Sequence, residues 1–251
     1  MTKLIYAIFV LMFQTFGCSD KTSENHSFTD QDTVVTAVTV DHTTFNDLLK
    51  ENVTGKGKVD YNGFKSERAK LNSYINYLGT HLPTSGNTKE DKLAYWINAY
   101  NALTIDLILR NPGIKSIKDI SSPWDQSLWK LGDKFYDLNE IEHNILRKMN
   151  EPRIHFAIVC ASVSCPKLQN EAFTATDLES QLTNATKEFL SDSSKNSLSR
   201  NKLELSRIFK WFAKDFRKDQ SLIDFLNKYS DIKISQNTSV RYKDYDWSLN
   251  D

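Results

Sequence analysis

Apolar residues recur every three to four positions along most of this chain, which is the spacing of a helix that buries one face. The segments with this spacing are predicted to be helices: 44–52, 64–78, 89–110, 138–149, 176–190, 206–216 and 221–228. Asn111-Pro112-Gly113 ends the longest of them. That helix, 89–110, is apolar almost all round, so we expect it to be buried within the domain.

A different pattern marks residues 154–160, which are β-branched and aromatic and follow Pro152. Both faces of this segment are largely apolar, so we predict a central strand that is covered on both sides. Shorter strand patterns occur at 202–205 and 240–245. The predicted fold class is α+β: a helix-rich single domain packed around a small sheet, with a buried central helix and one central strand.

The first residues resemble an export signal. Lys3 is followed by an apolar run over 4–16, which has the length of a signal-peptide core, and then by Gly17 and Cys18. A small residue before a cysteine resembles the lipobox of bacterial lipoproteins, in which the leader is removed and a lipid is attached to the thiol. We therefore predict a signal peptide of the lipoprotein type at 1–17 and a lipid anchor in the membrane, attached to Cys18.

Ser, Thr, Asp and Asn dominate the residues after Cys18, and they give no helical spacing. Residues 18–41 are therefore predicted to be a disordered tether, followed by a single globular domain at 42–251. Ser19 follows the lipidated position, whereas an Asp there usually retains lipoproteins in the inner membrane. The expected location is the cell envelope, on the periplasmic or surface face of the outer membrane.

Composition narrows the classes of function. Lys plus Arg and Asp plus Glu both number 32, so no net field attracts nucleic acid, and we predict no nucleic-acid partner. The chain has only 8 glycines and contains no glycine-rich phosphate loop, no His-Glu-x-x-His and no Gly-x-Ser-x-Gly. These absences disfavour nucleotide enzymes, zincins and ordinary serine hydrolases, and we predict no cofactor and no metal.

Two amides interrupt the apolar face of the predicted central helix. At helical spacing, Asn98 and Asn101 both fall among isoleucines and leucines. A buried amide without partners costs roughly 1 to 3 kcal/mol, so each must form hydrogen bonds. Either the amides tie the helix to a neighbouring loop, or one of them orients a catalytic base, as in Cys-His-Asn arrangements.

Three ionisable residues are also predicted to lie in apolar surroundings. Glu142 falls inside the apolar arc of its predicted helix, with His143 on the flank. A carboxylate placed there is expected to be paired, with Arg147 or Arg153, or to have a raised pKa. Alternatively, Glu142 and His143 form the polar walls of a cleft. His155, in the predicted strand, is either a satisfied structural group or a catalytic candidate.

The segment Cys160-Ala161-Ser162-Val163-Ser164-Cys165-Pro166 is the densest cluster of reactive side chains in the chain. Four residues separate the two cysteines, so a tight loop allows a disulfide in an oxidising compartment. Alternatively, Cys160 and Cys165 join His143 and His155 as zinc ligands, or both are simple core residues.

A catalytic role for Cys165 is a further alternative. Cys165 follows the predicted strand in a loop, so its thiolate is a candidate nucleophile. His143 or His155 would act as its base. The orienting group would be Asn98, Asn101 or Glu142.

Several motifs together resemble one protein family, the domain of unknown function 547, which is found in bacterial exported proteins and in plants. They are Gly57-Lys58-Val59-Asp60-Tyr61, Leu93-Ala94-Tyr95-Trp96-Ile97-Asn98-Ala99-Tyr100-Asn101-Ala102, Lys115-Ser116-Ile117, Ile141-Glu142-His143, Ile145-Leu146-Arg147, Arg153-Ile154-His155-Phe156-Ala157 and the segment from Cys160 to Pro166. The similarity covers about 45–229. It implies one integral domain whose motif residues include the candidates above, and it implies no particular activity.

Two functions remain as hypotheses. In the first, the asparagines, Glu142, the histidines and Cys165 build a polar cleft of a cysteine-dependent hydrolase or acyl transferase that acts on peptide or amide substrates. In the second, the domain is a non-catalytic binding or structural module of the cell envelope with a Cys160–Cys165 disulfide. Under either hypothesis, the expected ligand is an unidentified small molecule or peptide.

Overall fold

Helix α4 (Lys89–Arg110) is the central helix of the fold, and every residue in its stretch 93–108 is buried. The structure is a computed structural model that describes residues 35–251. The predicted signal peptide, Cys18 and the first part of the predicted tether lie outside the described residues. Helix α4 begins in a capping box formed by Thr88 and Asp91, and its limits match the prediction. The predicted buried central helix is confirmed.

Seven further α-helices occur within residues 35–251. They are α1 (Thr43–Asn52), α2 (Tyr61–Ser66), α3 (Arg68–Thr80), α5 (Leu178–Ser191), α6 (Ile208–Trp211), α7 (Ala213–Phe216) and α8 (Leu222–Tyr229). Among them, α2 and α3 contact α4 directly. Two predicted helices, 64–78 and 206–216, are each divided into two in the structure. The core falls into two clusters of buried side chains, of which the larger contains α4 and the smaller contains α8.

The strands are short and form two small sheets. Strands β1 (Trp129–Leu131) and β2 (Lys134–Tyr136) form an antiparallel hairpin that the sequence did not predict. Strand β4 (Lys202–Leu205) lies between β3 (Ser197–Leu198), to which it is antiparallel, and β5 (Ser239–Tyr242), to which it is parallel. The predicted strands 202–205 and 240–245 correspond to β4 and β5. The helix-rich α+β class is confirmed.

The predicted central strand at 154–160 is wrong. The segment begins in a 3-10 helix (Pro152–Phe156) and continues as irregular backbone. The Glu151 carboxylate accepts a backbone N–H at the start of this helix, and proline occupies the first helical position, so the local sequence favours a helical turn. The irregular part needs no neighbouring strand, because the Asn101 side chain bonds to two of its backbone groups.

The predicted helix 138–149 is helical but irregular. It consists of a π-helix (Glu140–Ile145) followed by a 3-10 helix (Leu146–Met149), and it ends at Asn150 with a left-handed φ of 56°. Single-turn π-helices are rare in proteins, and those that occur are often found at functional sites. This one carries two of the predicted site residues, Glu142 and His143.

Residues 35–41, which were predicted to belong to the tether, already contact the domain. The Asn87 side chain accepts the N–H of Val38 at 3.0 Å and donates to its carbonyl at 2.8 Å. The Thr84 hydroxyl donates to the carbonyl of Thr36 at 2.9 Å. Among residues 35–251, no helix combines the length and the apolar character needed to cross a bilayer.

Candidate functional site

A pocket of about 250 Å³, here called the aromatic pocket, opens beside the π-helix. Its aromatic walls are Tyr100, Trp124, Trp211, Phe212, Tyr245 and Trp247. Five sequence-predicted residues also line it: Glu142, His143, His155, Cys160 and Cys165. The structure therefore brings together the ionisable and sulfur-bearing candidates, which lie on three separate segments of the chain.

Glu142 lies in the pocket wall with only 9% of its surface exposed. The Tyr100 hydroxyl donates a hydrogen bond to Glu142 Oε2 at 3.3 Å. Burial raises the pKa of Glu142 to about 7, although the Tyr100 hydrogen bond and the charge of Arg147 oppose this shift. The predicted pairing of Glu142 with Arg147 or Arg153 is wrong, because both arginines bind other carboxylates. Glu142 is instead a carboxyl group that changes its charge near neutral pH.

His155 is held by Asp215, a residue that the sequence analysis did not select. His155 Nε2 lies 2.8 Å from Asp215 Oδ2, and the Asp215 carboxylate also accepts two hydrogen bonds from Arg147. Burial alone would raise the pKa of Asp215, but the bonds from His155 and Arg147 hold it well below its usual range. Burial lowers the pKa of His155, so at neutral pH its Nε2–H donates to an ionised Asp215.

The free ring nitrogen of His155 faces Glu142. The distance from His155 Nδ1 to Glu142 Oε1 is 4.0 Å, and the ring stacks on Phe212 at a centroid distance of 3.9 Å. Asp215, His155 and Glu142 thus form a polar row that ends at the pocket. The row fixes the histidine ring in one orientation and leaves the Glu142 carboxyl facing the pocket.

His143 occupies a more open position at the pocket than His155. Its Nδ1 lies 2.8 Å from the Arg147 guanidinium, and burial together with that positive charge lowers the pKa of His143. The imidazole is therefore neutral at neutral pH. It contributes a polar edge without adding charge.

The two cysteines are joined in a disulfide, with their Cα atoms 6.2 Å apart. Cys160 is half-buried and Cys165 is buried. The Tyr245 hydroxyl lies 3.2 Å from Cys165 Sγ and 3.3 Å from Cys160 Sγ. Of the alternatives for the cysteines, the structure has the disulfide, so neither thiol is free in this form.

Asn98 and Asn101 do not line the aromatic pocket. Asn98 donates to the carbonyl of Phe173 at 2.7 Å and accepts from the N–H of the same residue at 2.9 Å. Asn101 bonds in the same way to the carbonyl of Ala157 and the N–H of Val159, at 2.9 and 3.0 Å. Both amides tie the buried helix α4 to irregular segments, and the Asn101 pair lies directly before Cys160.

Asp215 and the aromatic walls other than Tyr100 were not predicted from the sequence. Trp211, Tyr245 and Trp247 pack against one another, with the Tyr245 and Trp247 ring centroids 4.6 Å apart. The signal that was available is the density of aromatic residues in the otherwise polar segments around α6 and after β5. A larger groove of about 800 Å³, between α2 and the end of α4, contains none of the predicted site residues.

Within the part of the chain that the structure describes, no three His, Cys, Asp or Glu side chains are grouped so as to hold a metal ion. The zinc set considered from the sequence therefore has no geometric support here. Cys160 and Cys165 bond to each other, and His155 bonds to Asp215.

Residues 84–190 match the model of a family described as a protein of unknown function, DUF547. This match supports the family resemblance predicted from the motifs. It includes all six candidate residues, from Asn98 to Cys165, whereas Asp215, Trp211 and Tyr245 lie beyond it. No curated protein and no solved structure matches the chain.

Proposed function

We propose that the domain is a binding module whose aromatic pocket takes a small organic cation, such as a quaternary ammonium or a protonated amine. The observation that carries this proposal is a single buried carboxyl, Glu142, at the wall of a pocket otherwise built largely of aromatic rings. Aromatic faces attract cations through their quadrupole, and this attraction is strongest where water is excluded. Glu142 adds a negative charge when the ligand draws it into the ionised form.

The charges around the pocket support a cation more than an anion. Asp215 is neutralised by Arg147, and His143 and His155 are neutral at neutral pH. Glu142 is therefore the titrating group of the pocket near pH 7. An anionic ligand would meet Glu142 without an unpaired positive partner at the pocket wall.

The volume limits the ligand to a small molecule. A cavity of about 250 Å³ lies below the range of about 300 to 1,000 Å³ that is usual for drug-sized ligands. Trp211 is 45% exposed at the mouth of the pocket, so its indole face is available to an incoming group. We therefore favour a compact head group over an extended peptide.

We favour binding over thiol-dependent hydrolysis, because Cys165 Sγ is bonded to Cys160 in the form described here. A nucleophile requires a free thiolate. The Asn98 and Asn101 amides are both committed to backbone groups, so neither supports a role as an orienting group for a histidine.

The aromatic pocket should bind choline, a compact quaternary ammonium. Isothermal titration of the full chain with choline should give saturable binding, and 3,3-dimethylbutanol, the neutral isostere of choline, should bind at least about tenfold more weakly. Because the cation selects the ionised form of Glu142, affinity should rise about tenfold between pH 6 and pH 8 and then level off.

The variants Glu142→Gln and Glu140→Gln separate a site effect from a general charge effect. Glu142→Gln should abolish the pH dependence and weaken choline binding, whereas Glu140→Gln, which removes a half-buried carboxylate outside the pocket wall, should leave both unchanged. Equal affinity for choline and its isostere, or no choline binding at pH 8 by a folded chain, would contradict the proposal.

We also propose that the chain is anchored to the cell envelope through a lipid on Cys18. The support is the apolar run before Gly17-Cys18 in the sequence. Mass spectrometry of the chain expressed in a bacterium should detect a diacylated N-terminal cysteine after loss of residues 1–17. Cys18→Ser should retain the leader and carry no lipid, and an unmodified Cys18 in the native chain would refute the anchor.

A further inference from the structure

The Cys160–Cys165 disulfide forms part of the wall of the aromatic pocket. A thiolate that enters the pocket meets the half-buried Cys160 before the buried Cys165. Exchange of a disulfide requires attack on one sulfur and departure of the other as a thiolate. The rate of such a reaction depends on which sulfur is accessible and on how well the departing thiolate is stabilised.

Three hydrogen-bond donors surround the sulfur that would depart. Cys165 Sγ accepts from the backbone N–H of Cys160 at 3.0 Å, from the Tyr245 hydroxyl at 3.2 Å and from the Ser162 hydroxyl at 3.3 Å. Hydrogen bonds to a charged form stabilise that form. A thiolate on Cys165 would therefore be stabilised at the position where the structure already places the sulfur.

Contacts other than the disulfide hold this loop. The N–H of Val163 donates to the carbonyl of Ser248 at 2.8 Å, and the N–H of Ser164 donates to the carbonyl of Asp246 at 3.2 Å. The Ser164 hydroxyl accepts from the N–H of Asp246 at 2.8 Å. These bonds tie the cysteine loop to the segment that carries Tyr245, so the donors stay near Cys165 when the disulfide is opened.

We propose that the domain carries a second activity, thiol–disulfide exchange with low-molecular-weight thiols at the Cys160–Cys165 pair in the aromatic pocket. The cationic-ligand proposal and this one rest on different groups, Glu142 in the first and the sulfurs with their donors in the second. Either one can fail without the other.

The exchange proceeds in two balanced steps. A substrate thiolate attacks Cys160 Sγ, a substrate–Cys160 disulfide forms, and the Cys160–Cys165 bond breaks with its electron pair on Cys165 Sγ. A second substrate thiolate then attacks the substrate sulfur, releasing the oxidised substrate disulfide and leaving the electron pair on Cys160 Sγ. Two substrate thiols are oxidised, the protein disulfide is reduced by two electrons, and the protons lost by the substrates pass through solvent to the protein thiols.

Reduction of the folded chain by dithiothreitol tests this proposal. The reaction is run without denaturant. Samples are taken at intervals and quenched with an alkylating reagent, and their free thiols are counted by mass spectrometry. Reduction should be first order in dithiothreitol and faster than global unfolding measured in parallel. Tyr245→Phe and Ser162→Ala should each slow it by about threefold to tenfold, because each removes a donor from the departing thiolate.

Matched controls lie close to Tyr245 in the sequence. Tyr242→Phe and Ser248→Ala change the same residue types without removing a contact to either sulfur, and they should leave the rate within about twofold of the native chain. Cys165→Ser, incubated with glutathione disulfide, should carry glutathione on Cys160. Reduction that is independent of thiol concentration and equal to the unfolding rate would overturn the proposal, as would equal rates for the native chain, Tyr245→Phe and Ser162→Ala.

Discussion

Replacing Glu142 with glutamine should stabilise the protein at pH 8 by about 3 kcal/mol and have almost no effect at pH 4. In the unfolded chain Glu142 ionises near its ordinary pKa of 4.5, whereas in the folded domain burial raises its pKa to about 7. Between these values the unfolded state gives up a proton that the folded state keeps, so stability falls as pH rises through this window. Glutamine has no charge to bury and can still accept the Tyr100 hydrogen bond.

Urea unfolding at pH 4, 6 and 8 measures this effect. The difference in free energy of unfolding between Glu142→Gln and the native chain should grow with pH and level off above about pH 7. Glu140→Gln provides the control, because the hydrogen bond from Lys134 lowers the pKa of Glu140 and its charge is favourable in the folded state. An equal gain in stability at pH 4 and pH 8 for Glu142→Gln would show that Glu142 is not a buried titrating group.

Asn101→Ala should destabilise the fold by about 3 kcal/mol, because it leaves two buried backbone groups without partners. Asn101 satisfies the carbonyl of Ala157 and the N–H of Val159, and its side chain is almost fully buried. Alanine replaces neither bond, and no strand in residues 35–251 pairs with 157–159 to supply substitutes.

The free energy of unfolding in urea at pH 7 checks this prediction. Asn144→Ala is a suitable control, because Asn144 is exposed and bonds only to the Glu140 side chain, so its loss should change stability by less than about 0.5 kcal/mol. If Asn101→Ala is no less stable than Asn144→Ala, the irregular segment before Cys160 is not held by the Asn101 amide.

Local signals explain which elements the sequence could predict. The limits of α4 were predictable because the Asn111-Pro112-Gly113 stop acts within a few residues of the helix end. The strand prediction for 154–160 failed because residue type alone could not reveal that an amide 56 positions earlier satisfies this backbone. Side chains that replace a ladder of hydrogen bonds leave no periodic pattern in the segment they hold.

The candidate site also contains residues with a local sequence signal and residues that only the tertiary fold brings together. Glu142 was identifiable from the sequence because a carboxyl inside an apolar arc is unusual in any fold. Asp215 lies 60 residues after its partner His155, and Tyr245 lies 80 residues after Cys165. Only the tertiary fold brings these pairs together, so no spacing rule could have linked them. The aromatic walls had the same problem, since each ring resembles an ordinary core residue when considered alone.

The segment that follows β5 supplies Tyr245 and Trp247 to the wall of the aromatic pocket. Its backbone bonds to Val59, Lys115 and Val163, which belong to three separate parts of the chain. Tyr245 and Trp247 follow all the other pocket residues in the chain, so during synthesis the aromatic pocket has no complete wall until they have emerged. A chain shortened before Tyr245 would therefore lack two of the six aromatic walls of the pocket to which we assign cation binding, Tyr245 and Trp247.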